Sequence, residues 1–326
     1  GTYYENIIWA QTNGIRLISA EGSSSTIIDG NASGSVIIFY NGGEIDTSSV
    51  MDGFTIQNGG NVIRGGGIAI ILDSPLFRNM VLANNMATNQ GGGIYLSQSH
   101  AILRTCEIVS NHAFSEGGGI YADGCVLSVS ASKVNGNYAH STSGYTGGGG
   151  LRLQSSQVNL TDVEIANNVA QNQGGGIYST FVYNDYSSYD RIQVLNNQAH
   201  DGGGIALNND SPSISNSSII GNTATENAGG IGFYYETTAP VLTDVVIAGN
   251  SASNGGGILA VQVAAPKFIN VLITKNHATN LGGAAYYIGY AEGRGYHTTV
   301  EGNTAGTYPG IYITDFSFPS FSHSNI

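Results

Sequence analysis

Four residues of this 326-residue chain, Tyr95, Tyr121, Arg152 and Tyr178, each follow directly on a glycine run and one aliphatic residue. If the aliphatic residue points into a core, strand alternation turns the next side chain outward. Stacked copies then form a vertical stripe of rings about 5 Å apart, a spacing at which tyrosines can stack on sugars while their hydroxyls hydrogen-bond. The same stripe also suits plain pairing between neighbouring strands. A second group stands in the longer interruptions: Tyr183, Asp185, Tyr186, Asp190, Tyr234 and Glu236, with Tyr287, Tyr290, Glu292, Arg294, Tyr296 and His297 further on. Carboxylates flanking a cleft could act as acid and base on a glycosidic bond. Asp185 and Asp190 could instead offer hard oxygen ligands to Ca²⁺. No carboxylate pair is held by spacing as a dyad, so no catalytic residue is assigned. A polyuronate lyase would also need a cation beside the substrate carboxylate and a base for the α-proton; Arg78 and Arg104 share a column and are the nearest approach to such a patch.

The elements that must position these residues repeat. Asn of an Asn-x-Ala step recurs at Asn85, Asn111, Asn137, Asn168, Asn197, Asn222, Asn250, Asn276 and Asn303. The residue closing each glycine run recurs at Ile68, Ile94, Ile120, Leu151, Ile177, Ile205, Ile231, Ile258, Ala284 and Ile311, at spacings of 26, 26, 31, 26, 28, 26, 27, 26 and 27. Three residues before each Asn stands an aliphatic residue (Leu82, Ile108, Val134), and eight before it a further apolar one (Phe77, Leu103, Val129). Alternation inside runs of about five residues, broken by Gly and Asn, reads as short strands. Three strands fit one repeat, and a coil that stacks on its own copy is a parallel β-helix. Asn and Gly suit its corners because they tolerate φ > 0, and stacked Asn side chains can bond one another across a repeat of about 4.8 Å.

The aliphatic-x-x-Asn step, joined to Gly-Gly-(Gly/Ala)-Ile, resembles the repeat of the polymorphic outer-membrane proteins, a branch of the right-handed β-helix, pectate-lyase-like superfamily. That family writes Phe before x-x-Asn and Gly-Gly-Ala-Ile; here aliphatics replace Phe and a third Gly usually replaces Ala, with Leu281-Gly282-Gly283-Ala284 nearest the family form. The resemblance spans residues 54–313 and implies an all-β, single-stranded, right-handed solenoid of about 11 or 12 coils with a period of 26 to 27 residues. It implies little about activity, since the superfamily hosts lyases, hydrolases, adhesins and fibres. The paired Asp and Gly-His-Gly of polygalacturonases are not found in the sequence.

Continuity of the repeat predicts one domain over 1–326, with atypical first coils in 1–53 and a cap or link in 314–326. Forty-eight glycines in register, with 41% hydrophobic residues, describe an ordered solenoid rather than a disordered chain. A net charge of −12, with 10 Lys+Arg against 22 Asp+Glu, leaves no basic stripe for nucleic acid or anionic membrane. Cys106 and Cys125 are 19 apart and fall in different columns, Cys106 in an apolar one. The polar, Lys-poor surface and the abrupt ends at Gly1 and Ile326 suggest a processed or excised piece of a secreted bacterial protein. The function expected is a non-enzymatic extracellular or cell-surface β-helix (an adhesin, stalk or carbohydrate-contacting module) with polysaccharide as partner, no cofactor save a possible Ca²⁺, and room for self-association. A polysaccharide lyase or hydrolase working across the Tyr95–Tyr178 face is the alternative.

Overall fold

The computed structural model describes all residues except 41, 143, 182–186 and 236–237, and the described residues form strands and turns with no helix. Cα proximity divides the chain into two compact units, Gly1–Glu164 and Ile165–Ile326. One type of coil builds both. In the first unit a coil runs through strands Ile94–Ser97, His100–Arg104, Glu107–Val109 and His112–Ala113 before its glycines lead to Ile120–Asp123. Among the described residues the strands pair in parallel and join like positions: Ile94 with Ile120, Leu103 with Val129, Ile108 with Val134, Ala113 with Ala139. The second unit repeats this with Ile231 and Ile258, Leu242 and Phe268, Ile247 and Ile273, Ala252 and Ala278. Six strands follow glycine runs or their equivalents in each unit, from Ile7–Ile8 to Leu151–Gln154 and from Ile177–Thr180 to Ile311–Ile313, which makes twelve coils.

Coils from Met86–Ala87 onward carry a further short strand beyond the three expected. The additional one is the Asn-x-Ala step, where Asn is followed by extended residues whose Ala points into the core; Ala87, Ala113 and Ala139 are fully buried. The two strands before the Asn lie on one sheet and fuse outright in Val126–Asn135. The aliphatic columns are the core: Ile94, Ile120, Leu103, Leu82, Ile108 and Val134 have no exposed surface. Burying each such side chain contributes roughly 1.5–3 kcal/mol.

The corners differ from expectation in one respect. In the Asn column φ > 0 falls on the residue before the ladder Asn: Asn84 (56°), Ser110 (56°) and Gly136 (63°) in the first unit, Asn196 (53°), Gly221 (69°) and Lys275 (54°) in the second. The ladder Asn is thus freed from turning the chain and spends its amide on its neighbours. Asn85 Nδ2 donates to Asn111 Oδ1 (3.0 Å) and to Ile56 O (3.0 Å), and Asn85 N also meets Asn111 Oδ1 (3.0 Å). The same bonds run from Asn111 to Asn137 and, in the second unit, through Asn168, Asn197, Asn222, Asn250, Asn276 and Asn303. The first glycine of most runs does turn the chain, Ala228 taking that place before Gly229. Gly91 has φ 67°, and a Cβ there would sit 2.5 Å from Ile94 O.

Ile258 pairs with Ala285 rather than Ala284, so the aliphatic column shifts by one residue from the expected position in that coil. The first coil is thin and exposed along Thr2–Tyr4, Ile7–Ile8 and Arg16–Ile18. At the other end Ser320–Ser322 still pairs with Arg294–Tyr296.

Candidate functional site

Tyr95, Tyr121 and Arg152 of the predicted stripe are register partners, but they do not lie on the surface. Tyr95, Tyr121 and Arg152 are 6%, 3% and 3% exposed, and Tyr178, in the second unit, is fully buried. Tyr95 and Tyr121 stack on one another (centroids 5.5 Å, 11°), as plain cross-strand pairing would have it. Pointing away from the core is not the same as meeting solvent here, because Arg64, Gln90 and Glu116, four residues before Ile68, Ile94 and Ile120, lie alongside. The Arg64 guanidinium sits 5.4 Å from the Tyr95 ring and its Nε donates to Gln90 Oε1 (3.0 Å). Glu116, next in that column, lies 3.4 Å from Arg152 Nε. Burial pushes the Glu116 carboxyl above its usual range, against the opposing pull of Arg152 and Gln90. Burial, then the Glu116 charge, likewise raises Tyr121, whose hydroxyl meets Gln154 Oε1 at 3.3 Å. This is a buried ion pair beside stacked rings, built to pack. Glu116 was legible only as the residue before a glycine run.

The remaining expected residues scatter. Tyr183, Asp185, Tyr186 and Glu236 lie outside the described residues. Asp190 is engaged: Oδ1 accepts from Ser215 Oγ and Asn216 Nδ2, each 2.8 Å, and Oδ2 pairs with Arg191. The bonds from Asn216 and Ser215 hold its carboxyl below the usual range. Tyr234 folds its ring over Gly232, where a Cβ would come within 2.4 Å of the Tyr234 hydroxyl. Burial, then Asp201 and Tyr178, raise that hydroxyl far above its ordinary value. Arg78 and Arg104 do share a register, but Arg78 is paired with Asp52 at 2.9 Å. Cys106 and Cys125 are free and buried, with the Cys106 thiol pushed up to about 12 by desolvation. Among the described residues no three or more His, Cys, Asp or Glu side chains cluster to hold a metal ion, and no helix is long and apolar enough to cross a membrane.

Exposed rings gather instead on the last coils of the second unit. Tyr286 and Tyr312 are register partners with centroids 5.1 Å apart, and Tyr308 stacks on Tyr312 at 4.5 Å and 15°. Where strand Ala285–Ile288 ends, Tyr290 stacks on Phe316 of the next coil at 5.5 Å and 16°. Tyr308, Tyr290 and Phe316 are 53%, 60% and 70% exposed. Beside them a cleft of about 420 Å³ is lined by Tyr234, Tyr235, Val261, Gln262, Ile288 and Gly289. The difference from the first unit has a local cause. Four residues before Ala285 and Ile311 stand Leu281 and Thr307, where Tyr95 and Tyr121 are flanked by Gln90 and Glu116. Tyr290 stands in one of the longer interruptions of the repeat, whereas Tyr308, two residues before Gly310, carries no comparable signal in the sequence.

A family model described as the right-handed β-helix region matches residues 118–305, more than half of the chain. No curated protein and no solved structure matches it. With parallel coils in register through both units and that match, this chain belongs to the right-handed β-helix family.

Proposed function

We propose that this β-helix is a non-enzymatic, carbohydrate-contacting module of an extracellular or cell surface, and that it meets its glycan on the aromatic face around Tyr286, Tyr290, Tyr308, Tyr312 and Phe316. One observation carries the reading: Tyr290 and Phe316, one coil apart, stack parallel and exposed, beside the exposed Tyr308 stacked on Tyr312. Such rings present flat apolar faces with polar rims at little entropic cost, which suits the C–H face and hydroxyls of a sugar. The net charge of −12 favours a neutral over a polyanionic glycan.

Screening the intact chain against a glycan array, then titrating the glycans it captures, tests the proposal. Tyr290→Ala with Tyr308→Ala should weaken binding at least about ten-fold, a loss of about 1.4 kcal/mol, without lowering the melting temperature. Unchanged affinity, or capture of no glycan at all, overturns it. The lyase or hydrolase alternative works across the Tyr95–Tyr178 face, whose Tyr95, Tyr121 and Arg152 are 6%, 3% and 3% exposed.

A further inference from the structure

We infer a second saccharide site, in the first unit, that takes a single neutral sugar residue. At the corner after strand Ile27–Asp29 lies a cavity of about 370 Å³ whose lining includes Tyr4, Asp29, Asn31, Asn58, Asn84 and Met86. Its parts come from four successive coils: Tyr4 is the register partner of Asp29, Asp29 of Gln57, and Gln57 of Ala83, the residue before Asn84. Tyr4 is 71% exposed and supplies a ring at the mouth. Asp29 is buried, and its carboxylate is fixed by Asn31 N (2.9 Å), Gln57 Nε2 (2.8 Å) and Asn58 Nδ2 (2.8 Å). The side-chain amides of Asn31 and Asn84 are exposed and bond to no described residue, although both residues hold left-handed backbone (φ 49° and 56°) that positions them.

The chemistry selects among ligands. A carboxylate offers about four lone-pair positions, and three are already used, so Asp29 can accept from one further hydroxyl. Two free amides add donors and acceptors in equal number. A divalent cation asks for six or more oxygens and several negative charges, whereas this cavity holds one largely satisfied carboxylate. An anion would meet that same carboxylate. A neutral polyol with one apolar face, which is what a hexose ring is, fits both the ring and the amides. The site rests on the carbohydrate reading but on different residues and in a different unit.

The test follows the Asn side-chain amide signals of the intact chain by NMR while methyl glucoside, galactoside and mannoside are each titrated to millimolar excess. Signals of Asn31 and Asn84 should shift saturably with at least one glycoside. Asn84→Gly, which keeps the left-handed backbone and removes the amide, should weaken that glycoside at least about ten-fold, and Tyr4→Ala should do the same. The Tyr290→Ala, Tyr308→Ala variant should leave the Asn31 and Asn84 shifts untouched. If no glycoside moves these signals, if CaCl₂ moves them instead, or if Asn84→Gly binds as the parent does, the pocket is not a sugar site. That outcome leaves binding at the aromatic face unaffected, and failure at the aromatic face likewise leaves these shifts standing.

Discussion

Removing one rung of the asparagine ladder should cost far more than its size suggests. Asn250 is fully buried in the second unit. Its Oδ1 accepts from both Asn222 N and Asn222 Nδ2 at 2.9 Å, and its Nδ2 donates to Ile219 O and Asn276 Oδ1 at 2.9 Å. Asn250→Ala strips the acceptor from two buried donors and one donor from Ile219 O; Asn276 Oδ1 keeps its bond from Asn250 N. Each bond lost by a buried group costs about 1–3 kcal/mol, so the three together cost about 3–9 kcal/mol, a large share of the 5–15 kcal/mol that holds a typical domain together. Asn280→Ala is the control: its Nδ2 also bonds a neighbouring coil's Asn254 Oδ1 at 3.0 Å, but it is exposed, and its loss should stay within about 0.5 kcal/mol. Urea unfolding followed by circular dichroism measures both. Amide exchange adds a local reading, because Asn222 N–H should lose protection first. If Asn250→Ala costs less than about 1 kcal/mol, or no more than Asn280→Ala, the ladder is ornament and the reasoning about unsatisfied groups fails.

Three further outcomes are expected. Glu116→Gln removes the carboxylate 3.4 Å from the buried Arg152 Nε and should cost about 1–3 kcal/mol, while Glu116→Leu with Arg152→Met should recover most of it; thermal melts of the three proteins decide, and a double variant no better than the single would count against the pair. Burial, and secondarily His140, lowers the pKa of His112, so between its folded value and the unfolded value of about 6.5 the unfolded chain binds the extra proton and stability falls as pH falls. His112→Phe should therefore flatten the decline in melting temperature from neutral pH to pH 5, and a steeper decline would refute this sign. Gly257→Ala puts a Cβ 2.6 Å from Ala284 O and should prevent folding or cost several kcal/mol, whereas Gly249→Ala meets no atom within 4 Å and pays only for φ 63°, about 1–2 kcal/mol. Equal costs measured by denaturation would mean that the coil spacing yields.

Part of this protein was readable from spacing alone. A period near 26, aliphatic columns three and eight before each Asn, and glycines in register could be satisfied at once only by stacked coils, because each strand buries its apolar residues only against its own copy. The Asn ladder followed too, since identical amides one coil apart have nowhere else to bond. Other features depended on distances no column shows. The Asn-x-Ala step became a fourth strand because the chain stays extended past the corner. The residue before each ladder Asn took the left-handed turn, so that the Asn itself could face inward. Above all, alternation placed Tyr95, Tyr121 and Arg152 outward correctly but could not say what lay beside them; Arg64, Gln90 and Glu116 did, and a binding stripe became packing. At Tyr286 and Tyr312 the same alternation met Leu281 and Thr307, and the rings stayed half-exposed. Direction is a property of the strand, and follows from sequence; exposure is a property of neighbours from other coils, and only the folded chain supplies them.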